Sequence, residues 1–371
     1  MTEFHNLAPC ALSLTPFRLF HCPASRTRPF IIPIFLPHAG CPHQCVFCNQ
    51  VSITGTRQNA VNADQIRSQI HRFLRYKTDR RWPVQISFFG GNFLGLKADE
   101  IKLLLDLATE FIREGHVDSI RFSTRPDTIN PDRLDFITAY PVETVELGVQ
   151  SMDDHVLALA RRGHGAADTV LAVQQLKEHK YSIGLQMMVG LPGDTEALSM
   201  ITAKKIAALR PDFVRIYPTL VVKNSRLAGW YQNGTYTPLS LEEAVTRVKN
   251  LYSLFKKHHI RVIRMGLQAS KDLEVGTTVL AGPYHPAFGH LVYSEIFYDS
   301  AIAAIDSMKD LTETITISVN PHSIPKMRGL NNLNIKKLKE RYHFRLIAVV
   351  PDSCLGVAEI KIEHRTSDIE Y

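Results

Sequence analysis

The chain has 371 residues, 45 % of them hydrophobic and 21 % charged. That composition excludes a disordered or collagen-like chain, and the length allows one large core with an appendage, or two ordinary domains. Lysine and arginine exceed aspartate and glutamate by 43 − 36 = 7, a basic excess that suits acidic partners such as RNA without requiring one.

Residues 1–29 carry Pro9, Pro16, Pro23 and Pro29 with no clear period and read as an irregular lead-in. An apolar strand follows over 30–36. A helix is expected from Asp64 as N-cap, with Ile66, Ile70, Phe73 and Leu74 on one face, and Pro83 marks the break after it. Residues 84–89 read as a second strand stopped by Gly90-Gly91, and Ile101, Leu104, Leu105 and Ala108 as the next helix. Strands are expected over 119–123, 145–148, 182–188 and 213–217, with helices at Val156, Leu159 and Ala160 and over 201–209. Strands alternating with helices argue for parallel βα units, either a doubly wound sheet or an open barrel, with ligands at the C-terminal strand ends.

Between the first strand and the first helix lies Gly40-Cys41-Pro42-His43-Gln44-Cys45-Val46-Phe47-Cys48, a CxxxCxxC spacing. Three thiolates on one short loop repel each other unless a cation takes up their charge. Zinc would need a fourth ligand from His38, His43 or a distant residue. An iron–sulfur cubane held by three cysteines leaves one iron open to a ligand and suits the count better; thiols without metal are the remaining alternative. Cys10, Cys22 and Cys354 are scattered, so the six cysteines form no disulfide framework and point to a reducing cytoplasm. No signal-peptide pattern and no bilayer-length apolar run is expected.

On this loop, with Phe47 before its last cysteine, the chain resembles the radical S-adenosylmethionine (SAM) superfamily. Further segments fall in the same order behind it: Ser87-Phe88-Phe89-Gly90-Gly91-Asn92, Phe122-Ser123-Thr124-Arg125, Glu146-Leu147-Gly148-Val149-Gln150, Arg161-Arg162-Gly163-His164 and Gln186-Met187-Met188-Val189-Gly190-Leu191-Pro192-Gly193. Over about residues 30–265 the nearest branches are the Elongator catalytic subunit and the oxygen-independent coproporphyrinogen oxidases. The resemblance implies an α/β fold, a partial (β/α)6 parallel barrel, over 30–265. It implies a 4Fe-4S cluster on Cys41, Cys45 and Cys48. It also implies SAM held by Phe47, Gly90, Gly91, Asn92, Ser123, Gln150, Arg162, Gln186, Val189 and Gly190. Arg162 would meet the cofactor's carboxylate, and Asn92 stands where the family often has an acid. Reductive cleavage of SAM to a 5′-deoxyadenosyl radical, fed by an external electron donor, is the implied activity. Arg125 and Arg215 are candidate anion holders or structural arginines.

Residues 266–311 read as a barrel-closing extension, in which His285 and His290 are expected to hydrogen-bond and not to ligate a second metal. From 312 the pattern changes: a strand at 314–319, a helix at 323–328, the turn Gly329-Leu330-Asn331-Asn332, a helix at 334–342 and a strand at 345–350. That order resembles the core of a KH module, whose GxxG turn clamps nucleotide backbone; Asn332 replaces the second glycine. Residues 322–345 hold seven Lys or Arg against Glu340 alone, an excess of 7 − 1 = +6. The expectation is a small basic α+β module, without an acetyltransferase domain, and an RNA (tRNA) substrate. The alternatives are a small molecule such as a tetrapyrrole, or a non-catalytic iron–sulfur RNA-binding or sensing protein. A membrane partner is not expected.

Overall fold

The computed structural model describes residues 29–36, 39–42, 44–49, 62–77, 83–267, 273, 278–308 and 312–364. The lead-in before Pro29, with Cys10 and Cys22, and His38 and His43 lie outside them. The described residues form two compact units, one up to residue 292 and one from residue 293.

The first unit holds β1 (Phe30–Phe35), β2 (Val84–Phe89), β3 (Ser119–Thr124), β4 (Val142–Gln150), β5 (Ser182–Val189), β6 (Phe213–Pro218), the short β7 (Val221–Val222), β8 (Arg261–Met265) and β9 (Val279–Ala281). Seven of these make one sheet in the order β1-β2-β3-β4-β5-β6-β8, every adjacent pair parallel. The expected open parallel barrel is borne out and extended by a seventh strand, while β7 pairs antiparallel with β9. Helices fill the crossovers. Asn62 caps Ala63–Leu74 by accepting from Gln65 N, two residues earlier than the Asp64 cap expected from sequence; Asp64 instead places its charge in the first turn. Crossover helices outside the sequence reading include Pro131–Thr138, Ala166–Glu178 and Leu241–Lys257. The first is barely two turns long, too short for a period, though Asn130 and Pro131 do mark its start.

Along the strands the side chains alternate in chemistry. Ile120, Phe122, Val145, Val214 and Ile216 are buried and apolar, while the positions between them are Arg121, Ser123, Glu146 and Arg215. A parallel sheet covered on both faces by helices reads as continuously apolar. Here one face is helix-covered core and the other lines a polar interior.

In the second unit β10 (Thr314–Val319) lies between β11 (Leu346–Pro351), parallel to it, and β12 (Ile360–His364), antiparallel. Helices Ile324–Arg328 and Leu333–Tyr342 pack Met327 and Leu338 onto Ile315, Ile317 and Val319. Asn334 is buried and donates to Ser294 O (2.8 Å) and Lys326 O (3.3 Å), which fixes the second helix to the first. Gly329, between them, has φ 71° and ψ 175°. A Cβ there would meet Asn334 Oδ1 at 2.9 Å, so the glycine is required by the module's own packing. Asn331 and Asn332 complete the turn in left-handed conformations.

Candidate functional site

The cysteine loop is braced by the turn after β2. Leu36 N donates to Phe89 O (2.7 Å) and Asn92 N to Ala39 O (2.8 Å). A Cβ on Gly91 would sit 2.2 Å from Ala39 O, so the glycines at 90 and 91 admit the chain's own backbone. Asn92 is fully buried: Nδ2 donates to Gly40 O (2.9 Å), and Oδ1 accepts from Thr124 Oγ1 (2.6 Å), Thr128 Oγ1 (2.9 Å) and Arg125 N (3.0 Å). Its amide is thus spent on holding the loop. This explains why an acid does not stand here, since a carboxylate has no N–H to offer Gly40. Asn92→Asp should lower urea-unfolding stability by about 2 kcal/mol at pH 7, with poorer iron retention.

On the other side, Val46 N donates to Ala160 O (3.1 Å) and Leu227 N to Val46 O (2.8 Å). Phe47 packs against two buried clusters, one holding Val46, Val221 and Leu227 and the other Val156, Ala160 and Leu191. Cys41 and Cys48 are partly exposed, Cys45 is buried, and none is in a disulfide. Among the described residues no three His, Cys, Asp or Glu side chains are closed around one point, these thiols included. All three nonetheless face one cavity of about 800 Å³ at the C-terminal end of the sheet. Burial pushes the Cys41 thiol up, and the neighbouring Cys45 adds to this, while Arg125 and Arg162 pull it down.

The same cavity receives Phe47, Gly90, Gly91, Ser123, Gln150, Arg162 and Gln186. Gln150 has φ 68°, left-handed for a side-chain-bearing residue, at a break in the β4–β5 register. Gln186 Nε2 donates to its Oε1 (3.0 Å). Arg162 directs Nη1 at Cys45 Sγ (3.1 Å) and Nη2 at Gly148 O (2.5 Å), and its Nε is buried without a partner. Arg125 is held bidentately by Asp127 (2.9 Å to each oxygen), donates to Arg162 O, and has Nη1 buried and unpaired. Beside them His164 is pushed down to about 4, by burial first and then by Arg162. Asn92, Val189 and Gly190 do not line the cavity. Gly190 instead lies in a turn pinned by Asp194 to its N–H (2.8 Å) and by Tyr236 OH to its carbonyl (2.6 Å). His285 Nδ1 accepts from Ala287 N (3.1 Å), a loop-internal hydrogen bond.

Of the inner wall, sequence reasoning singled out Arg215 and missed the roles of Arg121, Glu146, Tyr217 and Arg264. Glu146 sits between Arg121 (2.6 Å) and Arg215 (2.6 Å), with Tyr217 and Arg264 beside them in the cavity lining. A charged residue set between apolar neighbours inside β3 (Arg121), β4 (Glu146) and β6 (Arg215) was the signal available.

A parallel half-barrel with a three-cysteine loop at its C-terminal rim defines the class of protein. Residues 35–201 match the Radical SAM superfamily and 211–297 the Radical_SAM C-terminal domain. An uncharacterised protein of Methanocaldococcus jannaschii is 28 % identical over 232 residues, covering 59 % of this chain and 70 % of its own. The tRNA uridine(34) acetyltransferase of Methanocaldococcus infernus is 31 % identical over 173 residues, 46 % of this chain and 31 % of that protein, so the match spans under a third of the relative. The structure of the archaeal M. infernus Elp3 with an N-terminal deletion superposes with TM-score 0.59 at 22 % identity, covering 74 % of this chain and 64 % of that one.

The chain belongs to the radical SAM superfamily and is an enzyme of it. Its cofactors are the superfamily's, a 4Fe-4S cluster and SAM. The residues present fit them: three thiols open onto one cavity, with guanidinium N–H groups of Arg162 and Arg125 lacking acceptors beside them. The volume also lies within the range of cofactor sites. No helix of the described residues is long and apolar enough to cross a membrane.

Proposed function

We propose that Cys41, Cys45 and Cys48 hold the cluster and that Gln150, Gln186, Ser123 and Arg162 hold SAM, with an RNA, a tRNA, as substrate. The observation that carries the first part is that these side chains, from the β1 loop, β3, β4 and β5, face one cavity. When bound, the cluster and SAM supply an electron and a 5′-deoxyadenosyl radical, which takes a hydrogen atom from substrate. The chain's own residues then do the positioning. Arg162 sets a positive charge against Cys45, the strained Gln150 is aimed inward with Gln186, and the apolar Phe47 packs the loop against the β5 turn and keeps water from that side.

Support for RNA comes from the second unit and from the relatives named for tRNA. Strand, helix, Gly329 turn, helix, strand is the order of a KH core, and a turn of this kind clamps phosphodiester backbone. Not every basic residue there is available. Lys337 pairs with Glu295 (3.0 Å) and lies over Tyr298, and Lys339 donates to Arg345 O (3.1 Å). Arg328 and Lys336 are exposed without ion-pair partners among the described residues, and they flank the turn. We place residues 312–364 as the RNA-holding module on that ground.

The experiment is tRNA affinity across a salt series, read together with 5′-deoxyadenosine formed by the reconstituted chain under dithionite. Arg328→Glu with Lys336→Glu should weaken tRNA binding and lower its salt slope by about 2, while leaving cofactor cleavage without tRNA unchanged. Equal slopes would turn the reading toward a small-molecule substrate. Gly329→Asp is unsuited to this test, because its side chain would meet Asn334 and unfold the turn.

A further inference from the structure

The inner wall of the barrel carries more positive charge than its carboxylate covers. Glu146 Oε1 accepts from Arg121 Nε (2.6 Å) and Arg215 Nη2 (3.2 Å), and its Oε2 from Arg215 Nε (2.6 Å). Arg215 uses its remaining nitrogen, Nη1, on the Tyr217 hydroxyl (3.2 Å). Arg215 is thereby committed, while Arg121 is paired through Nε and keeps Nη2 buried without a partner; both also lie over rings, Arg121 over Phe213 (4.6 Å) and Arg215 over Phe89 (5.5 Å).

Arg264 is different. It stands half-buried in the cavity wall, with no hydrogen bond or ion pair among the described residues. It reaches that wall because of an irregularity: β6 and β8 pair Val214 with Val262 but Arg215 with Arg264, so Ile263 is the extra residue of a bulge. In an unbroken register Ile263 would face Arg215, and Arg264 would turn to the opposite face. The bulge therefore places a third guanidinium beside Arg215. Three guanidiniums against one carboxylate leave 3 − 1 = 2 positive charges, and such charges in a partly desolvated wall repel each other unless an anion joins them. Tyr217, accepting from Arg215, keeps its own O–H to donate.

We propose that Arg264 and Tyr217, backed by Arg215, form a subsite for an anionic group of the substrate, a carboxylate or a phosphate. This rests on reading the cavity as the active site. The sheet order puts β8 at the edge opposite β1, whose loop carries the cysteines. The anion is thus an anchor on the far strand, and Arg162, which touches Cys45, serves the thiol side.

The test is calorimetric titration of inorganic phosphate and of succinate into the full chain, with cluster reconstituted and SAM saturating. Wild type should show saturable binding of at least one anion. Arg264→Gln should weaken it about tenfold, Arg264→Lys less, and Tyr217→Phe a few-fold. Iron content and SAM affinity should be unchanged in Arg264→Gln, and its Tm without added anion should equal or exceed wild type, since an uncompensated charge is removed. Preference for phosphate marks a phosphate ester, and preference for succinate a carboxylate. Equal anion affinity in wild type and Arg264→Gln would overturn the proposal, as would loss of anion binding when SAM is added, which would make Arg264 a contact of SAM's own carboxylate. Failure of the wild type to take up iron would remove the active-site reading by a separate measurement, with the anion titration still readable.

Discussion

Anaerobic reconstitution should load the wild-type chain with about four irons and four sulfides, and Cys41→Ala, Cys45→Ala or Cys48→Ala should each abolish the cluster's visible absorption. Cys354→Ala should not, because Cys354 is exposed in the second unit and its backbone N–H is held by Asp352 (2.8 Å), outside the loop. Of the three, Cys45→Ala has a further effect. It removes the buried sulfur that accepts from Arg162 Nη1, leaving that guanidinium with two unsatisfied nitrogens. Loss of SAM binding should therefore accompany loss of iron. Iron and sulfide assays with equilibrium SAM binding on each variant check both. Stoichiometric zinc in place of iron, or a cluster retained by any of the three variants, would sink the assignment.

Glu146→Gln should be the most destabilising single change in the barrel, by about 3–5 kcal/mol, because it leaves two buried guanidiniums facing each other with no anion between them. Burial pushes the Glu146 carboxyl up, but Arg215 and Arg121 outweigh it and hold it below the ordinary 4.5. A carboxylate depressed by folding contributes stability that is complete above its unfolded value and is lost as pH falls through the folded one. Wild type should accordingly lose more stability than Glu146→Gln below pH 4.5, and the gap between them should narrow. Urea titrations at pH 7 and pH 3.5 measure this. A gap that stays constant would mean that the ion pairs do not carry the effect.

The sheet was legible because most of its strands are short apolar runs, several with glycine or proline at or just after their ends, and β2 and β10 match their expected bounds residue for residue. The cysteine loop was legible because three thiols at fixed spacing have few uses. What could not be read was how polar side chains divide their hydrogen bonds. Asn92, expected at the cofactor, braces Gly40, and Arg125, read as an anion holder or a structural arginine, spends Nε and Nη2 on Asp127 while its Nη1 stays unpaired. Such divisions depend on which backbone groups a loop brings near, and residues far apart in the chain set that. The seventh strand escaped the strand count for a related reason. Of its residues 261–265 only Met265 is fully buried, so an edge strand with arginines at both 261 and 264 has no apolar alternation to show.

The bulge at Ile263 makes the wall's character a matter of strand register and not only of residue identity. Deleting Ile263 would close the bulge and leave Arg264 opposite Arg215, whereas a β8 that kept Ile263 but paired it with Arg215 would turn Arg264 to the far side of the sheet and set an aliphatic group beside Arg215. The same residues, paired without the bulge, would thus line the wall with a different chemistry. In comparing related chains, the register of β8 against β6 is a better guide to the wall beside Arg215 than the presence of an arginine in β8.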